Sequence, residues 1–288
     1  MWIDTHCHLD ASEFNVDRLA ILERARQAGV GMLVIPAVQL DHFSQVQTLA
    51  RTHGLAYALG IHPLYTPGIT ATHFTLLRQA LAQAREDPHL VAVGEIGLDY
   101  FVTDIDREHQ MQCYIAQIQL AREFELPVIL HVRRSADDLL KVLQQHPVVG
   151  GIAHAFNGSQ QQAEQFISRG FALGFGGTLT FDRALQIRRL AQTIDPSAIV
   201  LETDAPDIPP QWLYQPRANR IKLTDQAYPS ARNEPAQLVR IAESLSSLRG
   251  WNAHETATNT MHNAIRALPR LKALLPHINN AAPSATPH

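Results

Sequence analysis

Short apolar runs alternate along the chain with longer stretches in which apolar and polar positions follow a helical spacing. The runs are Met1–Thr5, Met32–Ala37, Ala56–Ile61, Leu90–Glu95, Pro127–Val132, Gly151–Ala155, Phe171–Gly176 and Ala198–Glu202. Each has the length of a strand. Most are rich in Val, Ile or Leu without strict alternation, which suits strands buried on both faces of a parallel sheet. Between them the pattern predicts helices over Val16–Ala28, Asp41–Thr52, His73–Arg85, Asp106–Glu125, Ala136–Gln145, Ser159–Arg169 and Arg183–Ile194. In the fourth of these, Met111, Tyr114, Ile115, Ile118 and Ala121 recur at helical spacing. Gly29, Gly54 and Gly170 follow the last turns of three helices, as helix stops do. Two more helices, Pro235–Leu248 and Ala253–Ala267, come after the last apolar run.

Eight strands alternating with helices predict the α/β class and a (β/α)8 TIM barrel. The alternative is an open doubly wound sheet, which would place a glycine-rich phosphate loop near its first strand. The glycine-rich stretch here, Gly174-Phe175-Gly176-Gly177, comes late and does not fit that motif. One connection, Ala205 to Glu234, is long, rich in Pro and Arg, and contains Trp212 and Tyr214. Loops of that length are usually functional or disordered. The expected organisation is one barrel domain over residues 1–270 and a flexible tail over 277–288, which is rich in Pro, Ala and Asn.

Composition narrows the function. A length of 288 residues suits a barrel of about 250 residues. A chain of this size buries about 75% of its unfolded surface and needs no metal to fold, so a bound metal is expected to serve function. The net charge of −3 excludes a strongly basic nucleic-acid binder but not an enzyme that acts on nucleic acid locally. The two cysteines, Cys7 and Cys113, make no disulfide framework and suit a reducing cytosol. The apolar run from Gly29 to Val38 falls short of the ~20 residues that span a bilayer. Met1-Trp2-Ile3-Asp4 has neither the basic nor the apolar region of a signal peptide. The expected location is the cytoplasm, with no membrane partner.

The candidate chemistry lies where the predicted strands end. There are 15 histidines. Most, including His42, His53, His73, His89, His109, His146, His254 and His262, fall in helices or loops and are expected on the solvated surface. His6, His8, His62, His131 and His154 instead stand at or just past strand ends, Glu95 ends the fourth strand, and Asp204 follows the eighth. Barrel active sites are built at that end. Residues i and i+2 of a strand share a face, so His6 and His8 should point together into the mouth and Cys7 into the wall. Burying these groups without a cation would strand several polar atoms. Four imidazoles and two carboxylates suit zinc or manganese better than magnesium alone, and they suffice for two ions if one carboxylate bridges. Glu202, two residues before Asp204, should face inward beneath it, either to orient a ligand or to pair a buried backbone or arginine group.

At these positions the sequence resembles the TatD family of metal-dependent deoxyribonucleases, in its YjjV-like branch, within the amidohydrolase-like barrel superfamily. The resemblance rests on Ile3-Asp4-Thr5-His6-Cys7-His8-Leu9-Asp10, Gly60-Ile61-His62-Pro63 and Val93-Gly94-Glu95-Ile96-Gly97-Leu98-Asp99. It continues through Leu126–His131, His154-Ala155-Phe156-Asn157-Gly158, Leu201–Pro206 and Arg232-Asn233-Glu234-Pro235. It implies that His6, His8 and Asp204 bind a first metal, that His131 and His154 bind a second, and that Glu95 bridges both. It further implies that Asp204 accepts a proton from the attacking water and that His62 faces the substrate phosphate. The implied cofactors are two divalent ions (Zn, Mn or Mg), and the implied reaction is exonuclease-like cleavage of DNA phosphodiester bonds by a two-metal-activated water. Val132 departs from the Ser or Cys usual after the family histidine, while Arg133 keeps the basic side chain. Pro216 to Lys222 matches no family pattern.

Arg133, Arg134, Arg217, Arg220, Lys222 and Arg232 fall in loops on the expected active face, with Arg133 and Arg232 the foremost candidates to hold phosphates. Tyr65, Tyr100, Phe101, Trp212 and Tyr214 lie in the same loops, as base-stacking groups or as loop anchors. The same centre would also suit a small-molecule amide or ester, or an aminoacyl-tRNA ester. A non-catalytic scaffold would have no need of six convergent ligands.

Overall fold

The computed structural model describes residues 1–214 and 232–275. Eight strands lie side by side in chain order, every neighbouring pair parallel. They are β1 (Trp2–Asp4), β2 (Val30–Pro36), β3 (Ala56–Leu59), β4 (Leu90–Asp99), β5 (Val128–Arg133), β6 (Gly151–His154), β7 (Phe171–Phe175) and β8 (Ile199–Leu201). Seven helices connect them: α1 (Arg18–Gln27), α2 (Phe43–His53), α3 (Ala71–Gln83), α4 (Arg107–Glu123), α5 (Ala136–Gln145), α6 (Gln160–Ser168) and α7 (Leu185–Thr193). Helices α8 (Leu238–Arg249), α9 (Ala253–Ala267) and α10 (Leu271–Leu274) follow β8. This is the (β/α)8 barrel that the alternating pattern predicts.

Local chemistry explains the helix ends. The Asp106 carboxylate accepts from the Glu108 and His109 N–H groups and starts α4. Ser159 and Gln162 form a reciprocal capping box before α6. Gly54, at φ +68°, stops α2 in the left-handed conformation that glycine adopts without a Cβ clash. The short α10 has no counterpart in the sequence pattern, because four residues cannot show a helical period.

The apolar residues divide into two cores. The larger joins strand faces to the helical shell and includes Leu33, Tyr57, Tyr114, Phe166 and Ile241. Cys7 lies in it, fully buried, its thiol toward the Ala205 carbonyl, so it packs in the wall as expected. The smaller combines Ile3, Val34, Ala58, Ile129, Ile152 and Val200 with Ala264, Leu268 and Leu271 of α9 and α10. It fills the barrel and closes its floor. Strand alternation then carries polar residues upward from this layer on the same face: Ile129 to His131, Ile152 to His154, and Val200 to Glu202 and Asp204.

Two departures from strand regularity shape the mouth. The sequence pattern ends the fourth strand at Glu95, but β4 runs on to Asp99. Its register against β5 shifts between Val93 and Ile96. Such a bulge re-aims a side chain without ending the strand, and glycines at 94 and 97 disguise the continuation in the sequence. Gly97 is required there: its φ is +143°, and a Cβ would overlap the His131 backbone.

The second departure is the seam. Among the described residues, no ladder pairs β8 with β1. Isolated bonds close the gap: Thr5 N–H to the Leu201 carbonyl (3.1 Å), Asp204 N–H to the His6 carbonyl (2.9 Å) and His8 N–H to the Ala205 carbonyl (2.9 Å). The buried Asp4 carboxylate completes the closure. It accepts from the His6 N–H (3.2 Å), the Thr203 N–H (3.0 Å) and the Thr203 hydroxyl (2.6 Å). No helix among the described residues is long and apolar enough to cross a membrane.

Candidate metal centre

Seven side chains converge on the mouth, six from at or just past the C-terminal ends of β1, β3, β5, β6 and β8 and Glu95 from the bulge within β4. Glu95 is the hub, and its two carboxylate oxygens face different partners. Oε2 lies 3.2 Å from His6 Nε2 and 3.6 Å from His8 Nε2. Oε1 lies 2.8 Å from His131 Nδ1, 3.0 Å from His154 Nε2 and 3.4 Å from His62 Nε2. Asp204 Oδ1 stands 3.4 Å from both His6 Nε2 and His8 Nε2. His131 and His154 are register partners on adjacent strands, which places their rings side by side. Asp204 itself takes a left-handed backbone (φ +55°), a conformation that Asp tolerates better than most residues.

Three overlapping triads have ligand atoms close enough to share an ion: His6–His8–Asp204, His6–Glu95–His154 and His62–Glu95–His131. All six residues named as metal ligands on the sequence therefore meet in one place. His62, assigned to the substrate, reaches the same Glu95 oxygen as His131 does.

A further layer of carboxylates orients the imidazoles. Asp99 Oδ2 lies 3.0 Å from His131 Nε2, so a proton on that nitrogen leaves Nδ1 to face the hub with its lone pair. Glu202 sets its charge beside His154, with Oε1 3.5 Å from Nδ1 but without a hydrogen bond to it. Glu202 also accepts from the Ala155 N–H (2.5 Å) and holds that left-handed turn (φ +44°) directly after His154. Of the two readings of Glu202, the structure thus contains both a histidine contact and a backbone bond. Gly174 on β7 makes room for this carboxylate, because a Cβ there would overlap it. The sequence reading gave Asp99 no role. Its signal was the i+4 spacing from Glu95, legible only once β4 is known to continue.

The charges fit a cation site. Burial works against ionisation of Glu95, but His62, His154 and His6 outweigh it and hold its carboxyl well below the usual range. Asp204 is held low against burial by its bond to His8 and by His154 and His6. Burial opposes a charge on His8 and His154, yet the carboxylates prevail; His8 is pushed up to about 9 by Asp204 and Glu95, and His154 goes well above the ordinary value through Glu95 and Glu202. Burial keeps His6 and His62 low. The carboxylates thus stay ionised and draw protons onto neighbouring imidazoles, which is where cations would supply the charge instead. Mixed nitrogen and oxygen donors of this kind can chelate divalent cations.

A pH dependence follows. Raised pKa values on His8 and His154 mean that these rings carry protons at neutral pH without metal, and a cation must displace them. Metal affinity is therefore expected to rise from pH 6 to pH 8, with protons released on binding. Calorimetric Zn²⁺ titrations in two buffers of different ionisation enthalpy measure that release. Equal heats in both buffers would contradict it.

The comparisons with known proteins agree with this geometry. The family described as TatD related DNase matches residues 3–269. The chain belongs to that family. A metal-dependent hydrolase of Escherichia coli K12, YjjV, is 39% identical over 266 residues, which cover 91% of this chain and 95% of YjjV. The crystal structure of YjjV, a TatD homologue, superposes with a TM-score of 0.82, covering 93% of this chain and 98% of that one at 38% identity. A 3'-5' ssDNA/RNA exonuclease TatD of Erwinia tasmaniensis is 32% identical over 91% of this chain and 98% of its own length. Like its YjjV relative, this TatD-family chain is a metal-dependent hydrolase.

Around the TatD-type centre, the other candidates separate. Arg133 lies at the mouth, 3.8 Å from Asp99 and 4.0 Å above the Phe101 ring. Arg134 stacks on the same ring at 4.8 Å. Arg232 grips Asp17 through both ends of its guanidinium (2.9 and 2.8 Å) and donates to the Glu13 carbonyl. Arg217, Arg220, Lys222 and the 277–288 tail lie outside the described residues. Among the aromatics, Tyr100 is tied to Asp138 and Trp212 to Gln237, as loop anchors are. Tyr65, Phe101 and Tyr214 are 44–49% exposed. Four histidines expected on the solvated surface are instead half-buried and bonded: His42 to Asp10, His73 to the Thr70 N–H, His89 to the Leu55 carbonyl and His109 to the Thr66 carbonyl.

Proposed function

We propose that this chain is a deoxyribonuclease that trims single-stranded DNA from an end by hydrolysing phosphodiester bonds. The observation that supports the substrate class is the rim of the mouth. Exposed Tyr65 lies against His62 and exposed Phe101 follows Asp99, to which its N–H donates, while two guanidiniums rest on Phe101. Aromatic faces beside cationic groups suit bases and phosphates of a single strand, where stacking is worth about 1–3 kcal/mol per base.

His6, His8 and Asp204 would hold one divalent ion, His131 and His154 a second, and the divided Glu95 carboxylate both. When bound, the two ions would lower the pKa of a water and neutralise charge developing on the phosphoryl oxygens. The chain's own groups do the rest. Asp204, ionised across the neutral range, accepts the proton of the attacking water. Asp99 holds His131 in the tautomer that leaves a lone pair toward the hub, and Glu202 sets its charge beside His154. His62 and Arg133 face the phosphate. Arg232, held by Asp17 and the Glu13 carbonyl, would offer its charge to a phosphate of the strand.

The test is hydrolysis of an end-labelled single-stranded oligonucleotide by chelator-stripped protein, with Mg²⁺, Mn²⁺ and Zn²⁺ restored separately. Metal-dependent shortening is expected, together with its loss in His131→Ala. A metal-loaded protein that leaves every oligonucleotide intact would sink the nuclease reading.

A further inference from the structure

A hollow of about 330 Å³ opens on the same face as the metal centre, between the loops that follow β2 and β3. The two loops are joined by the His62 N–H, which donates to the Val38 carbonyl (2.9 Å). One wall is the turn directly after His62, and the His62 ring meets the Tyr65 ring edge-on with centroids 6.2 Å apart. The hollow therefore adjoins the centre through a side chain of the centre itself.

Its lining is divided by chemistry. Leu64, Tyr65 and Ile69 supply apolar faces, and Gln39, Asp41 and His73 supply polar atoms. No lysine or arginine lines it, so it does not suit a phosphate. The Gln39 and Asp41 side chains make no hydrogen bond within the described residues. His73 Nδ1 accepts from the Thr70 N–H (3.1 Å), which leaves the proton of a neutral ring on Nε2. Flat apolar walls with a polar edge, one of them an aromatic ring, are what a planar heterocycle requires.

We infer that this hollow is a nucleobase pocket that selects bases bearing an amino group, taking a base of the strand next to the phosphate at the metal centre. The inference rests on the phosphodiester reading above and adds a base preference to it. Tyr65 stacks on the base. The Asp41 carboxylate, which only accepts, takes hydrogen bonds from the amino groups of cytosine, adenine or guanine. Thymine presents two carbonyls on either side of its single N–H, and these repel a carboxylate. At Asp41 an amino-bearing base is therefore favoured: its amino group donates to the carboxylate while the Gln39 amide and the His73 Nε2–H meet its acceptors, whereas thymine sets a carbonyl against Asp41.

The experiment compares kcat/KM on short oligo-dC and oligo-dT in wild type, Asp41→Asn and Tyr65→Ala. Taking the ratio within each protein cancels differences in folding and metal loading. Wild type is expected to favour oligo-dC by about tenfold, the lower end of what a specific base contact discriminates. Asp41→Asn is expected to bring the ratio near one, because asparagine can donate to a thymine carbonyl. Tyr65→Ala is expected to raise KM on both. A wild type that cleaves both alike, or an unchanged ratio in Asp41→Asn, overturns the base pocket and leaves the nuclease reading intact. Cleavage of neither overturns both.

Discussion

Glu95→Gln is expected to lower turnover by at least ~10³-fold, the scale seen when one member of a cooperating catalytic unit is removed. The substitution keeps the shape and one acceptor oxygen, so the barrel stays packed. It removes the negative charge that both halves of the centre share, since Oε1 faces His131, His154 and His62 while Oε2 faces His6 and His8. Metal content is expected to fall with activity, from two equivalents to one or none. Elemental analysis beside the oligonucleotide assay measures both. A variant that holds two equivalents and turns over within about tenfold of wild type would refute the bridging role.

Asp4→Ala is expected to cost about 3–5 kcal/mol of stability. Asp4 is fully buried and accepts three hydrogen bonds, from the His6 N–H, the Thr203 N–H and the Thr203 hydroxyl. Each donor left buried without an acceptor costs about 1–3 kcal/mol, and partial entry of water offsets some of that. Urea unfolding followed by circular dichroism gives the difference. Asp4→Asn, which keeps an acceptor oxygen, should recover most of it. A loss below about 1 kcal/mol in the alanine variant would mean that the other seam bonds suffice.

These two carboxylates show what the sequence makes legible. All eight strands and the general course of the helices follow from apolar spacing, because strands of a buried parallel sheet are mostly apolar and break that run only near the mouth, as at Glu95 and His131. The cluster of candidate ligands follows as well, since barrel chemistry gathers at strand ends and His6, His131, His154 and Asp204 stand there. What spacing hides is contact across the chain. Asp4 sits in plain view beside His6, but its work depends on Thr203. Asp99 is invisible while β4 is taken to stop at Glu95, because only the bulge keeps the strand going and returns Asp99 to His131. Arg232 looks like a loose basic group until Asp17 is found against it. The Arg217–Lys222 stretch lies outside the described residues.

The seam between β1 and β8 also sets an order of assembly. A chain emerging from the ribosome displays His6 and His8 first and Asp204 last of the seven, with synthesis running at about 5–20 residues per second. Glu95, His131 and His154 come between them, so the half of the centre on neighbouring strands has its parts before the half at the seam. The Thr203 and Asp204 donors that fasten the first strand to the last do not exist until then. The nascent protein therefore carries its first two histidines for most of translation without the residue that completes their triad. The three members of that triad therefore come together only when the barrel closes.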